Sequence, residues 1–187
     1  MKAKWGFGSL STGVIRPKKD RLRKLAASLD ALASHDEKII RRAHEIGSLR
    51  RQAAMELHGV CADFVRDLNE LLAETALDFD PAVYSPGHFQ EDGVNLFQIN
   101  ARGRILQIEF ESTPELTSTE NFRVPYILEG AVRSFNQQSL ERLAIEEQSL
   151  FYTIQKTRNL WRFFDARTYR SGIVDANYLT SLMEELV

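Results

Sequence analysis

Between Leu22 and about Leu72, apolar side chains return at alternating steps of three and four: Leu22, Leu25, Leu29, Leu32, Ile39, Ala43, Ile46, Ala53, Leu57, Val60, Phe64 and Leu71. One heptad register therefore holds for about seven repeats, and a register sustained beyond three or four requires a helix packed along a narrow seam. At ~1.5 Å per residue, roughly fifty helical residues span ~75 Å, more than a small domain is wide. Part of such a helix has to find its packing partner outside its own fold.

The seam is interrupted. Asp36 and Arg50 occupy a-type positions and Asp67 a d-type position. Polar seam residues can fix register, and they weaken the case for an uninterrupted two-stranded coil. Ser34 with Glu37 three residues later has the form of a capping box, which could open a new helix, and Gly47-Ser48 is a second soft point. The pattern thus admits a single long helix or a helical hairpin turning near Ser34-His35-Asp36. Toward its end the stripe widens to Leu57, Val60, Cys61, Phe64, Val65, Leu68, Leu71 and Leu72. That breadth suits a globular core, so residues from about 55 onward are expected to pack on the chain's own domain, and residues 22–50 to project from it or meet another subunit.

Three segments follow: an arm at 1–17, the long helix at 18–77 and a sheet domain at 78–187. The arm is glycine-rich, Trp5-Gly6-Phe7-Gly8 and then Gly13, which argues against helix or central strand. It reads as a flexible tail or as a docking arm whose Trp5 and Phe7, two apart and so on one side of an extended chain, fill a pocket on a neighbouring subunit. Pro17 suits the first turn of the helix.

From Val94 the apolar period falls to about two. Val94–Asn100 and Arg104–Glu111 read as strands around a turn at Asn100-Ala101-Arg102-Gly103. Phe122–Phe135, Leu150–Gln155 and Leu160–Phe164 read as further strands, and Leu140–Glu147 as strand or short helix. Asp175 is placed to cap a last helix with Tyr178, Leu179, Leu182, Met183 and Leu186 on its apolar face. The expected fold is α+β: a long N-terminal heptad helix (or helical hairpin), an antiparallel meander of about five strands and a C-terminal helix.

Charge is uneven. Residues 1–24 carry a net +7, whereas the whole chain has a formal charge of -2. Lys18, Lys19, Arg21, Arg23 and Lys24 form one basic group. Arg158, Arg162, Arg167 and Arg170 form another, interleaved with Trp161, Phe163, Phe164 and Tyr169. Basic groups with aromatics can contact single-stranded nucleic acid. Alternation along the strand, however, puts Trp161 and Phe163 on the face opposite Arg158, Arg162 and Phe164, which largely separates the aromatic from the basic side chains.

Catalytic signals are lacking. His44 and His58 lie about 21 Å apart along a helix, too far to share a metal. Glu109 and Glu111 share the polar face of one strand without a recognisable partner. No nucleophile elbow, phosphate cradle or nuclease triplet is present. The single cysteine, Cys61, falls on the apolar helix face, as a structural thiol in a reducing cytosol would. No apolar run approaches the ~20 residues of a membrane span.

These features predict a non-catalytic, cofactor-free cytoplasmic assembly or adaptor subunit, a homodimer or part of a larger protein complex, with no membrane contact. Its partner-binding residues would be Trp5, Phe7, Leu22, Leu25, Leu29, Leu32, Ile39 and Ile46. The alternative is a nucleic-acid-associated subunit that uses the two basic groups, with weak and non-specific affinity.

Overall fold

The computed structural model describes residues 16–186 other than 75, 120, 121, 138–140, 142–144 and 156, with side chains from Lys19 onward. Trp5, Phe7 and the side chain of Lys18 lie outside the described residues. Helix α1 runs Arg16–Leu71. Its helical backbone is continuous through Ser34, Glu37, Gly47 and Ser48, so the hairpin alternative is set aside. The chain divides into two compact units, Met1–His44 and Glu45–Val187, and α1 contributes to both.

The second unit holds seven strands, not about five: β1 (Asp78–Asp80), β2 (Asn95–Ala101), β3 (Arg104–Thr117), β4 (Tyr126–Phe135), β5 (Glu146–Thr153), β6 (Leu160–Asp165) and β7 (Arg170–Ile173). Each is antiparallel to the next and the spatial order is the chain order. The two extra strands are the outermost, three and four residues long. Neither is long enough to show a period, and both lie in stretches whose Asp, Pro, Ser and Gly read as loop. The β2–β3 turn needs left-handed backbone at Arg102 (φ 54°) and Gly103 (φ 83°), and the Asn100 side chain accepts from the Gly103 N–H at 2.8 Å.

Alternation along the strands lays Phe97, Ile99, Leu106, Ile108, Phe110, Leu128, Val132, Leu150, Tyr152 and Trp161 on one face. Within the second unit, Ala53, Ala54, Leu57, Cys61, Phe64 and Val65 of α1 cover that face together with Leu179, Leu182 and Met183 of helix α2 (Ala176–Glu184). Each fully buried Leu or Phe contributes about 1.5–3 kcal/mol relative to exposure. Asp175 caps α2, accepting from the Tyr178 N–H at 2.9 Å. The chain's own core begins at Ile46 and Leu49, which pack partly buried against it ahead of the fully buried Ala53 and Ala54, earlier than the widening stripe implies.

Arg50 explains one interruption of the heptad. Its Nε donates to the Ile127 carbonyl at 3.2 Å, its Nη2 donates to the Thr113 carbonyl, and its Nη1 pairs with Glu91. The side chain is only 11% exposed. It ties α1 to β3, to β4 and to the loop before β2. His58, eight residues further along the same helix, is buried, stacked on Tyr84 at 5.3 Å and bonded through Nε2 to the Pro81 carbonyl at 2.8 Å.

Candidate interaction surface

In the first unit, the heptad side chains stand in water. Leu22, Leu25, Leu29, Leu32, Ile39 and Ile40 are each between 55% and 59% exposed. Leucine and isoleucine are normally interior residues, and six of them repeating along one helix is an unusual surface for a chain on its own. Ile46, the last of the expected partner-binding residues, is partly buried against the core of its own chain.

The basic residues split between two settings. Lys19, Arg21, Arg23 and Lys24 are all exposed, and among them Arg23 pairs with Asp20 at 3.7 Å. In the second group, Arg158, Arg167 and Arg170 are exposed and Arg162 is half-buried. Arg167 is engaged by Glu146 at 3.1 Å and by Asp165 at 3.6 Å. The Thr168 hydroxyl, with the backbone N–H groups of Arg167 and Thr168 and the Arg167 charge, holds the Asp165 carboxyl below its usual range against the opposing effect of burial. Trp161 is 4% exposed, and Phe163 stacks on Tyr178 at 4.2 Å. The second cluster therefore offers charge without its tryptophan.

A feature that the sequence reading missed lies on the sheet face away from the core. Phe122 stacks on Phe151 at 4.4 Å and joins Tyr126, Val124 and Phe164 in a separate apolar cluster. With Glu109, Glu111, Glu129 and Ser149 these rings line an open concavity of about 670 Å³. Glu111 stands directly across from Glu129 in the β3–β4 register, an unfavourable pairing of like charges. Glu109 differs: Arg133 bridges it at 2.5 Å to Glu147 at 2.6 Å. The Tyr126 hydroxyl is pushed up to about 12, chiefly by burial and then by the charge and hydrogen bond of Glu129. Period-two alternation identified Glu109 and Glu111 as neighbours on one face, but Glu129 arrives through strand pairing, which has no local signal.

Cys61 is fully buried, and burial pushes its thiol up to about 12. Among the described residues, no three His, Cys, Asp or Glu side chains come together as metal ligands, and no helix is long and apolar enough to cross a membrane. Comparison of the chain with protein-family models, with curated proteins and with solved structures gave no match.

Proposed function

We propose that this chain is a non-catalytic assembly subunit of the cytoplasm that associates with a second copy of itself through the first part of α1. The observation that carries the reading is the row Leu22, Leu25, Leu29, Leu32 and Ile39, heptad-spaced and each more than half exposed. Two such seams interlock knobs into holes and remove their leucines from water. Asp36 favours an antiparallel pair. In a parallel pair the two Asp36 side chains meet in one layer, whereas in an antiparallel pair each a position faces a d position, and Asp36 lies opposite an apolar residue.

The test is sedimentation equilibrium of the full chain at about ten to one hundred micromolar. The expected result is a dimer that persists in high salt, since its contacts are apolar. Leu25→Ser together with Leu29→Ser should return it to monomer, with the near-ultraviolet circular dichroism of the sheet unit retained. A wild-type monomer across that range would overturn the self-association reading.

The exposed Lys19, Arg21, Arg23 and Lys24 support a second reading, a weak association with nucleic acid. Affinity for a random duplex that falls steeply with salt, and that vanishes when these four are replaced by Gln, is the expected signature. Salt-independent affinity would overturn it.

A further inference from the structure

A second cleft opens where the end of α1 and α2 approach the β2–β3 hairpin, within the Glu45–Val187 unit. Its volume is about 480 Å³. Phe64, Leu68, Leu72, Leu77, Ala101 and Met183 form most of its wall. Small-molecule sites have this character: a largely apolar cleft of about 300–1,000 Å³ with a few polar groups at one side. The volume suits an extended chain of methylenes and is too small for a helix, whose diameter with side chains is about 10–12 Å.

The polar groups are unevenly charged. Arg102 and Arg104, two residues apart on the hairpin, both line the cleft, and Glu184 and Thr180 complete it. The Arg102 Nη2 donates to the Glu74 carbonyl at 3.4 Å and the Arg104 Nε to the Leu186 carbonyl at 3.0 Å. These are neutral acceptors. Ion pairs among the described residues involve Arg23, Arg50, Arg66, Arg133 and Arg167, and neither of the cleft arginines. Two guanidinium groups that meet no carboxylate among the described residues, bordering an apolar cavity, complement a ligand that is apolar along its length and anionic at one end.

We propose that this cleft binds a free aliphatic carboxylate, its hydrocarbon chain against Leu68, Leu72, Leu77 and Met183 and its head on Arg102 and Arg104. A monoanion fits better than a phosphate dianion, because Glu184 shares the cleft and repels the second negative charge more strongly. The guanidinium fork meets the two carboxylate oxygens in parallel hydrogen bonds. The alkyl chain gains roughly 0.8 kcal/mol for each methylene taken out of water. The site is independent of the heptad face and of the dimer that we propose for it.

The test is isothermal titration of the full chain with sodium dodecanoate below its micellar concentration, beside dodecyltrimethylammonium, which has the same tail and the opposite charge. One saturable site per chain for dodecanoate and none for the cation is expected. Arg102→Gln with Arg104→Gln should weaken dodecanoate by about tenfold or more, the usual loss for charge-assisted hydrogen bonds. Leu72→Glu, at a partly exposed rim position compatible with folding, should weaken it as well. Dodecanoate should shift the Met183 methyl resonance. Absence of saturable binding, equal binding of both headgroups, indifference to both variants, or shifts confined to residues elsewhere would each overturn the proposal.

Discussion

The indole N–H of Trp161 donates to the carbonyl oxygen of Ala53 at 2.8 Å, joining β6 to α1 across 108 residues of chain. The ring packs edge-on to Phe110 at 5.3 Å. A tryptophan in a stretch rich in arginine is thereby committed to the core of the Glu45–Val187 unit, with its polar atom satisfied.

Trp161→Ala should cost about 3–5 kcal/mol, the usual loss for a buried aromatic cut to alanine. Trp161→Phe keeps most of the volume and loses the hydrogen bond, so it should cost less. Urea denaturation followed by circular dichroism measures both. An alanine variant with the wild-type midpoint would contradict the burial of this ring.

Arg50→Met should lower stability by about 2–4 kcal/mol, because it leaves the Ile127 and Thr113 carbonyls and Glu91 without their donor. Arg50→Lys should recover only part of that loss, since one ammonium cannot reach three acceptors arranged for a planar fork. Thermal denaturation of the three proteins at one concentration gives the order.

Two glycines should respond oppositely to alanine. At Gly130 a Cβ would lie 2.0 Å from the Glu109 carbonyl oxygen and 2.7 Å from the Phe110 Cα, so the β3–β4 ladder must part. Gly130→Ala should cost about 3 kcal/mol or more. At Gly59, inside α1, a Cβ meets nothing within 4 Å. Gly59→Ala should raise stability by about 0.5–1 kcal/mol through helix propensity. Chemical denaturation of the pair tests the sign as well as the size.

Cys61 sets an alkaline limit. Burial holds the folded thiol neutral up to about 12, whereas an unfolded thiol ionises near ~8.5. Above that unfolded value the folded state binds the extra proton, so stability falls as pH rises through the window. The loss approaches ~1.4 kcal/mol per pH unit within it, and Cys61→Ser should flatten that slope. Native protein at pH 8 should resist iodoacetamide and react once unfolded.

The long periodic stretches are legible in the sequence alone. Heptad spacing marked α1, period-two alternation marked β2, β6 and the first half of β3, and Asp175 with the Tyr178–Leu186 stripe marked α2. The beginning of β4 was not, because Phe122 looks like a strand residue but stacks on Phe151 from a loop over the outer sheet face. The continuation of β3 past Pro114 to Thr117 was also hidden, since it follows a break in register after Ser112. Sequence spacing named the exposed heptad residues, yet it could not assign Ile46 to the chain's own core. That assignment depends on where the sheet lies against the helix. The cleft near Arg102 was invisible for the same reason, its wall being drawn from α1, the segment after it, the hairpin and α2.

Among the described residues, the sequential strand order leaves the first and last strands paired on one side only, and both are poor templates. The first strand offers three residues, two of them exposed aspartates, and the last offers four that begin with an exposed arginine and include a glycine. Short, charged borders resist the addition of a strand from another molecule, which is the usual route from an open sheet to aggregation. Crowding of these molecules is thus a poor route to a backbone-bonded ribbon.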